Sequence, residues 1–520
     1  MASSKIALLL VLSSKLLLAA TALHDDDDDT LALQGGQHEA VWSTSNMGEG
    51  VIIGVLDDGI DAGHPSFGDE GMPPPPTRWR GRCKHAGVAS CNSKLVGARD
   101  FTRHLRRPGT APRPGTHGTH ASSVAAGAFV RRAGGAPAGA PVVVVSGVAP
   151  RAHLAFYQVC AGAARGCSRG SVVHAVEAAL ADGVDVLSLS LGDDDGLGFH
   201  EDPVVAATFS AVVRGVFVCA AAGNKGRTPG SVANDAPWIL TVGASSQSQQ
   251  GGAPRSAATI PGFSSRGPSR NNGGVMKPDI VGPGVDILGA VPRSARGQSF
   301  ASLSGTSMAA PHLSGVAALI KSAHPTWSPA AIKSAIMTTA DASLTDETGT
   351  PASYFAMGAG LVDAAKAIDP GLVYDTSPEE YIPYLCGLGY TDEQVNRIIY
   401  PAPAVHCAEM ENTEAKDLNA PSIMVALTVD GPAVTVSRTV TNVGAARSVY
   451  RVDVSAPDGV SITVVPGELQ FDEVNQKASF VVTMERAAPG SALESEILGA
   501  QLAWVSEEHV VRSPISIISA

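Results

Sequence analysis

Val51-Ile52-Ile53-Gly54-Val55-Leu56-Asp57-Asp58-Gly59 is a continuous apolar run that stops in a carboxylate. A strand wetted on one face alternates apolar and polar residues. A run that is apolar throughout reads instead as a strand buried on both faces, the pattern of a parallel sheet. Similar runs recur at 154–159, 184–189, 216–221 and 239–242, with helical patterns between them at 117–129, 171–181 and 204–213. Two more helices are expected at 306–322 and 328–340, where Pro329 falls just inside the start of the second. Strand and helix alternating from about Gly50 to Ile368 predict an α/β domain, its parallel sheet covered by helices on both faces. In open sheets of this kind functional groups gather at the carboxyl ends of the strands. Asp57 is therefore a candidate, although an aspartate there is also an ordinary turn residue.

The composition bounds the rest. Of 520 residues, 44 % are hydrophobic and 17 % charged, which is a globular balance. Aromatics at 5 % with 56 glycines predict a core of Ala, Val, Leu and Ile and many tight turns. The net charge of -12 leaves no dominant basic surface and argues against a nucleic-acid partner. Lys5, the apolar stretch 6–12 and the small residues Ala20-Thr21-Ala22 read as a secretory signal over 1–22, despite Lys15. Residues 23–46, with the run Asp25 to Asp29, read as an acidic linker. No other apolar run approaches the ~20 residues that span a bilayer, so a secreted protein without a membrane anchor is expected.

Seven cysteines fit that compartment. Three local pairs suggest themselves, Cys83 with Cys91, Cys160 with Cys167 and Cys386 with Cys407, although spacing leaves the connectivity open. Cys219, inside an apolar run, reads as a buried free thiol. From about Lys416 the pattern changes. Segments 434–440, 448–454, 461–465, 478–484 and 501–505 alternate apolar and polar residues between turns, which predicts an antiparallel β-sandwich over 416–520. Residues 370–415 read as a connector.

Three further segments carry chemistry. Ser304-Gly305-Thr306-Ser307-Met308-Ala309-Ala310-Pro311-His312 places a serine at the start of a long apolar helix. Serine there is often only a cap. Yet its hydroxyl is exposed beside unpaired N–H groups and the positive end of the helix dipole, which suits a nucleophile that forms an oxyanion. Gly115-Thr116-His117-Gly118-Thr119-His120 opens a small-residue helix, and Ala220-Ala221-Ala222-Gly223-Asn224 ends a strand in an amide. Together they supply a nucleophile (Ser307), a base (His117), a carboxylate to orient it (Asp57) and an oxyanion donor (Asn224). The order Asp, His, Ser and the context Gly-Thr-Ser-Met-Ala exclude the Gly-x-Ser-x-Gly hydrolase pattern.

On these segments, and on 148–160, 182–192, 234–244, 263–268 and 277–290, the chain resembles the plant subtilisin-like serine proteases. Its tail, through Asp417-Leu418-Asn419 and 438–444, resembles that group's fibronectin type III-like domain. The resemblance implies a subtilisin-like catalytic domain over 47–369 and a serine endopeptidase acting on proteins or peptides through an acyl-enzyme, without cofactor or metal. It implies that Ser190, Leu191 and Gly192 lie along an extended substrate and that Ala221, Ala222 and Gly223 wall the specificity pocket. It also places the protein in the cell wall or apoplast.

Departures from the family pattern mark particular positions. Asp58 stands where Thr or Ser is usual, and Thr116 where Gly is usual. Gly282 replaces the usual Ala. Only 24 residues separate Ala22 from Met47 (47 − 22 − 1), too few for the usual inhibitory propeptide. That shortness predicts a chain that folds poorly unaided. The stretch from Asn224 to Phe263 leaves no room for the usual inserted protease-associated domain, which points to a monomer. These losses motivate an alternative reading, a catalytically impaired peptide-binding or scaffold protein.

Overall fold

The computed structural model describes residues 37–519 except 86, 107–109, 111, 113, 133–142, 163–165, 193–195, 247–257, 295–296, 429–430 and 487–496. The signal segment and the acidic run at 25–29 lie outside the described residues.

The run quoted above forms strand β1, Ile52–Asp57, buried at every position. It belongs to an eight-stranded sheet with β2 (Cys83–Lys84), β3 (Leu95–Asp100), β4 (His153–Gln158), β5 (Val186–Leu189), β6 (Phe217–Ala221), β7 (Leu240–Ser245) and β8 (Ile280–Pro283). The strand order is β8-β7-β6-β5-β1-β4-β3-β2 and all pairs are parallel. Both faces are covered. Ile53 and Val55 join the core that also holds α1 (Gln37–Thr44), α2 (Thr116–Ala126) and α5 (Thr306–Ala323). Ile52 and Leu56 point into the opposite core, against α3 (Arg169–Asp182) and α4 (Pro203–Val213). Alternate side chains of one strand thus serve two apolar layers, which is why the run shows no polar period.

Helix α5 is buried almost all round, with Leu313, Leu319 and Ile320 fully inaccessible. Each such side chain contributes about 1.5–3 kcal/mol. The next helix, α6 (Pro329–Thr338), starts with a side-chain cap from Ser328 and a proline in its first turn. β2, β3 and β8 carried no separate signal in the sequence, being short or polar at their ends.

The C-terminal part is a sandwich of two sheets. One orders β9 (Leu372–Val373), β11 (Val434–Asn442), β15 (Lys477–Arg486) and β13 (Val460–Val465) as β9-β11-β15-β13. The other orders β10 (Ile423–Leu427), β17 (Val510–Ser519), β16 (Ile497–Val505), β12 (Ser448–Ser455) and β14 (Glu468–Phe471) as β10-β17-β16-β12-β14. β10 runs parallel to β17, so the sandwich is not wholly antiparallel as its pattern had suggested. The connector is more than a tether. Its helices α7 (Tyr381–Gly387) and α8 (Asp392–Ile399) bury Tyr381, Tyr384, Leu385, Val395 and Ile398 in the same core as α3 and α4.

Cys83 is bonded to Cys91, Cys160 to Cys167 and Cys386 to Cys407. Cys219 is a free buried thiol that donates to the Ala310 carbonyl, and burial pushes it up to about 12.

Candidate active site

Asp57 ends β1, Ser190 follows β5 and Asn224 follows β6, three neighbouring strands. Parallel strands deliver all three to one edge of the sheet. His117 stands on the first turn of α2, which approaches that edge closely at Gly118. A Cβ there would lie 2.4 Å from the Gly59 carbonyl oxygen and 3.0 Å from the Asp57 Cβ, so only glycine lets the helix come this near.

The His117 Nδ1–H donates to both Asp57 oxygens, at 2.8 and 2.9 Å. An ionised carboxylate only accepts, which leaves Nε2 as the ring's base. Burial alone would lower His117, but the charge and hydrogen bond of Asp57, with the charge of Asp58, outweigh it and raise the imidazole to about 9. Asp57 is itself steadied by the Asp58 N–H, 2.7 Å from Oδ1.

Ser307 is the second residue of α5, and its N–H takes no carbonyl. Its hydroxyl donates to the Ser190 carbonyl at 3.1 Å rather than to His117. Hydrogen bonds of this kind commonly tighten only when substrate is bound. Ser190 binds Ser307 twice, because its own hydroxyl donates to the Ser307 carbonyl at 2.8 Å. In a regular helix that carbonyl would receive the N–H of residue 311, but Pro311 has none. Ser190 supplies the missing donor, a role that its sequence context did not show.

Asn224 is oriented by Thr306. Its Oδ1 accepts the Thr306 N–H (2.9 Å) and hydroxyl (3.0 Å). The acceptor end of the amide is thereby used, and Nδ2 is left as a donor; a Cβ on Gly305 would lie 3.4 Å from this Nδ2 and 3.7 Å from the Ser307 nitrogen, so both donors border the space that Gly305 leaves open. Two donors of this kind can hold the oxygen of a tetrahedral adduct. Thr306 also accepts the Gly223 N–H at 3.2 Å. It was missed in the sequence, where it reads as helix start.

A cleft of about 660 Å³ runs from Asp58 and His117 past Leu191, Gly192 and Phe199 to Asn234, with the Cys160–Cys167 bridge on its wall. Ser190, Leu191 and Gly192 line it. Ala221 and Ala222 are buried, and their carbonyls accept from Asn234 and Ala233, while Gly223 is half-buried. Asn234 ties the two segments together: its Nδ2 donates to Leu191 (2.9 Å) and Ala221 (2.8 Å) carbonyls from a left-handed backbone at φ 54°. Read along the chain, Asn234 before Asp235-Ala236-Pro237 is an ordinary turn residue. Among the described residues no group of three or more His, Cys, Asp or Glu is arranged to hold a metal, and no helix is long and apolar enough to cross a membrane.

Comparison with known proteins agrees with this architecture. The model of the Subtilase family matches residues 48–360, and that of a fibronectin type-III domain matches 417–517. The chain is 33 % identical to subtilisin-like protease SBT1.2 of Arabidopsis thaliana over 660 aligned positions, covering 94 % of this chain and 84 % of that protein. It is 32 % identical to SBT1.6 (92 % and 84 %) and 35 % identical to SBT4.10 (89 % and 78 %), both also subtilisin-like proteases of Arabidopsis thaliana. The 660 aligned positions outnumber the 520 residues of this chain, so SBT1.2 carries residues that have no counterpart in it. Among solved structures, the prenylagaramide maturation protease PagA aligns with a TM-score of 0.45 and 25 % identity, covering 64 % of this chain and 98 % of that one. With the fold, the Asp57–His117 pair and these relatives together, the chain belongs to the subtilase family of subtilisin-like serine proteases.

Proposed function

We propose that this chain is a secreted serine endopeptidase that cleaves proteins or peptides through an acyl-enzyme on Ser307. The observation that carries the reading is the paired geometry of Asp57 on His117 Nδ1 and of Thr306 on Asn224 Oδ1, which leaves a base nitrogen and an amide donor free. Ser307 Oγ attacks the peptide carbonyl carbon while His117 Nε2 takes its proton. The oxyanion is held by Asn224 Nδ2 and the Ser307 N–H. The C–N bond then breaks, and His117 returns the proton to the leaving amine. Water, activated by the same imidazole, cleaves the ester and restores the serine. Asp57 orients the ring and stabilises its cation. The chain has no part in this scheme that calls for a metal or cofactor. Secretion is supported by the signal-like segment at 1–22 and by six cysteines in disulfides. In this reading 47–369 is the catalytic unit, 370–415 joins it to the sandwich over 416–520, and the protein acts as a monomer.

A fluorophosphonate probe tests the proposal. It is expected to label the wild-type protein and to fail on Ser307→Ala. A folded wild-type protein that stays unlabelled overturns it and leaves a peptide-binding protein in its place.

A further inference from the structure

We propose that Asp58 is a positioning residue for the base: its carboxylate anchors the first turn of the helix that carries His117 and, with Asp57, holds the imidazolium. The proposal rests on the reading of His117 as the base given above.

Asp58 follows Asp57 at the end of β1 and faces the same cleft as His117. Its Oδ1 accepts the Gly118 N–H at 2.8 Å. Gly118 is the third residue of α2, whose first N–H groups have no carbonyl of their own. The residue before the helix, Gly115, has no side chain with which to cap them. Most helices meet this need from the preceding residue. Here a carboxylate from a different element meets it, and also faces the positive end of the helix dipole. The fit is close, since a Cβ on Gly115 would lie 2.0 Å from Asp58 Oδ1. Asp58 is fixed in turn by its own backbone. Its N–H donates to Asp57 Oδ1 at 2.7 Å, and its carbonyl accepts Gln158 Nε2 at 2.6 Å. One strand end therefore holds the base at two points: Asp57 grips the ring, and Asp58 grips the turn on which it stands.

The charged groups that face Asp58 are Asp57 from β1 and His117 from α2. His120, one turn along α2, is pushed down to about 4 by burial and stays neutral. Across the cleft Arg169 is paired with Asp202 at 3.5 Å. Burial raises Asp58 to about 6 and the charge of Asp57 adds to it, while the N–H of Gly118 and the charge of His117 oppose. Asp58 is thus ionised above about pH 6, and its charge is one of those that raise His117.

Only neutral imidazole takes the proton of the serine, so kcat/KM climbs as His117 deprotonates. Removing the charge of Asp58 lowers His117 and moves this acid limb to lower pH. Asp58→Asn keeps an oxygen for Gly118 but loses the charge, and is expected to shift the limb down by roughly one pH unit. Asp58→Ala loses both and should shift the limb similarly, with a plateau kcat roughly tenfold or more below that of Asp58→Asn as the turn loosens. A second readout does not depend on turnover: the imidazole titration of His117 followed by NMR in Ser307→Ala, with and without Asp58→Asn. A lower midpoint supports the proposal. An unmoved limb together with an unmoved midpoint in folded Asp58→Asn overturns it. If the proteolytic reading itself fails, activity is absent from every variant while the titration still decides the role of Asp58.

Discussion

Asn224 shows how little a single residue reveals until its partners are known. In the chain it follows a glycine and reads as a turn. In the fold Thr306 occupies its acceptor oxygen twice, so the amide can present only its donors to the site. The expected consequence is kinetic. Asn224→Ala should lower kcat by about 10²–10³ with little change in KM, because the lost bond matters mainly once the oxyanion forms. Steady-state kinetics on a chromogenic peptide would check this, and an equal loss in KM would place Asn224 in ground-state binding instead. Asp57 and His117 were legible from their position at a strand end and a helix start. Thr306, Asn234 and the second role of Ser190 were not, since each acts through a contact that no local pattern encodes.

Helix α5 and the segment after β5 form one mechanical unit. Pro311 removes the N–H that would cap the Ser307 carbonyl, and the Ser190 hydroxyl, 117 residues away in the chain, replaces it. Ser190→Ala should leave a half-buried carbonyl without that donor, at a cost of about 1 kcal/mol. Pro311→Ala restores a helical N–H at that carbonyl. The double variant Ser190→Ala/Pro311→Ala is therefore expected to recover much of the loss, which is a coupling that denaturant titration of the four proteins would measure. Simple additivity of the two changes would rule out the shared carbonyl. At this scale the sequence was a good guide to helices and central strands, because burial on two faces or along one helix leaves a readable period. It was a poor guide to β2, β3 and β8, and to the two helices of the connector, whose apolar residues have meaning only against α3 and α4.

Across the whole molecule, a buried cluster of charge ties the sheet to α6, the helix that follows α5. Asp279, immediately before β8, is inaccessible and bonds Lys277 at 2.6 Å and Lys333 of α6 at 2.8 Å. Burial would raise Asp279, but the two ammonium groups outweigh it and hold the carboxyl below its ordinary range. Lys277 and Lys333 also donate to the Ile239 carbonyl, ahead of β7. Asp279→Ala would strand two buried cations and is expected to cost about 3–5 kcal/mol, read as a fall in the midpoint of chemical denaturation. A near-neutral result would mean that the lysines lose their charge or reach water. On the far side α6 meets the sandwich, where the Tyr374 hydroxyl bonds Ser513 at 2.7 Å and the Tyr374 N–H bonds Ser334 of α6 at 2.8 Å.

The sequence by itself determined the alternation of buried strands and helices, the separate alternating β pattern towards the C-terminus, and the candidates Asp57, His117, Asn224 and Ser307, in an order and context that exclude the Gly-x-Ser-x-Gly hydrolase pattern. These are properties of local period and of residue type at strand and helix ends. Only the tertiary structure decided how the set is held: Asp58 on the first turn of α2, Thr306 on Asn224, Ser190 on the carbonyl that Pro311 leaves bare, and Asn234 across the cleft. The physical reason is that each of these is a hydrogen bond between segments tens to more than a hundred residues apart. Its existence depends on which strand ends the parallel sheet sets side by side.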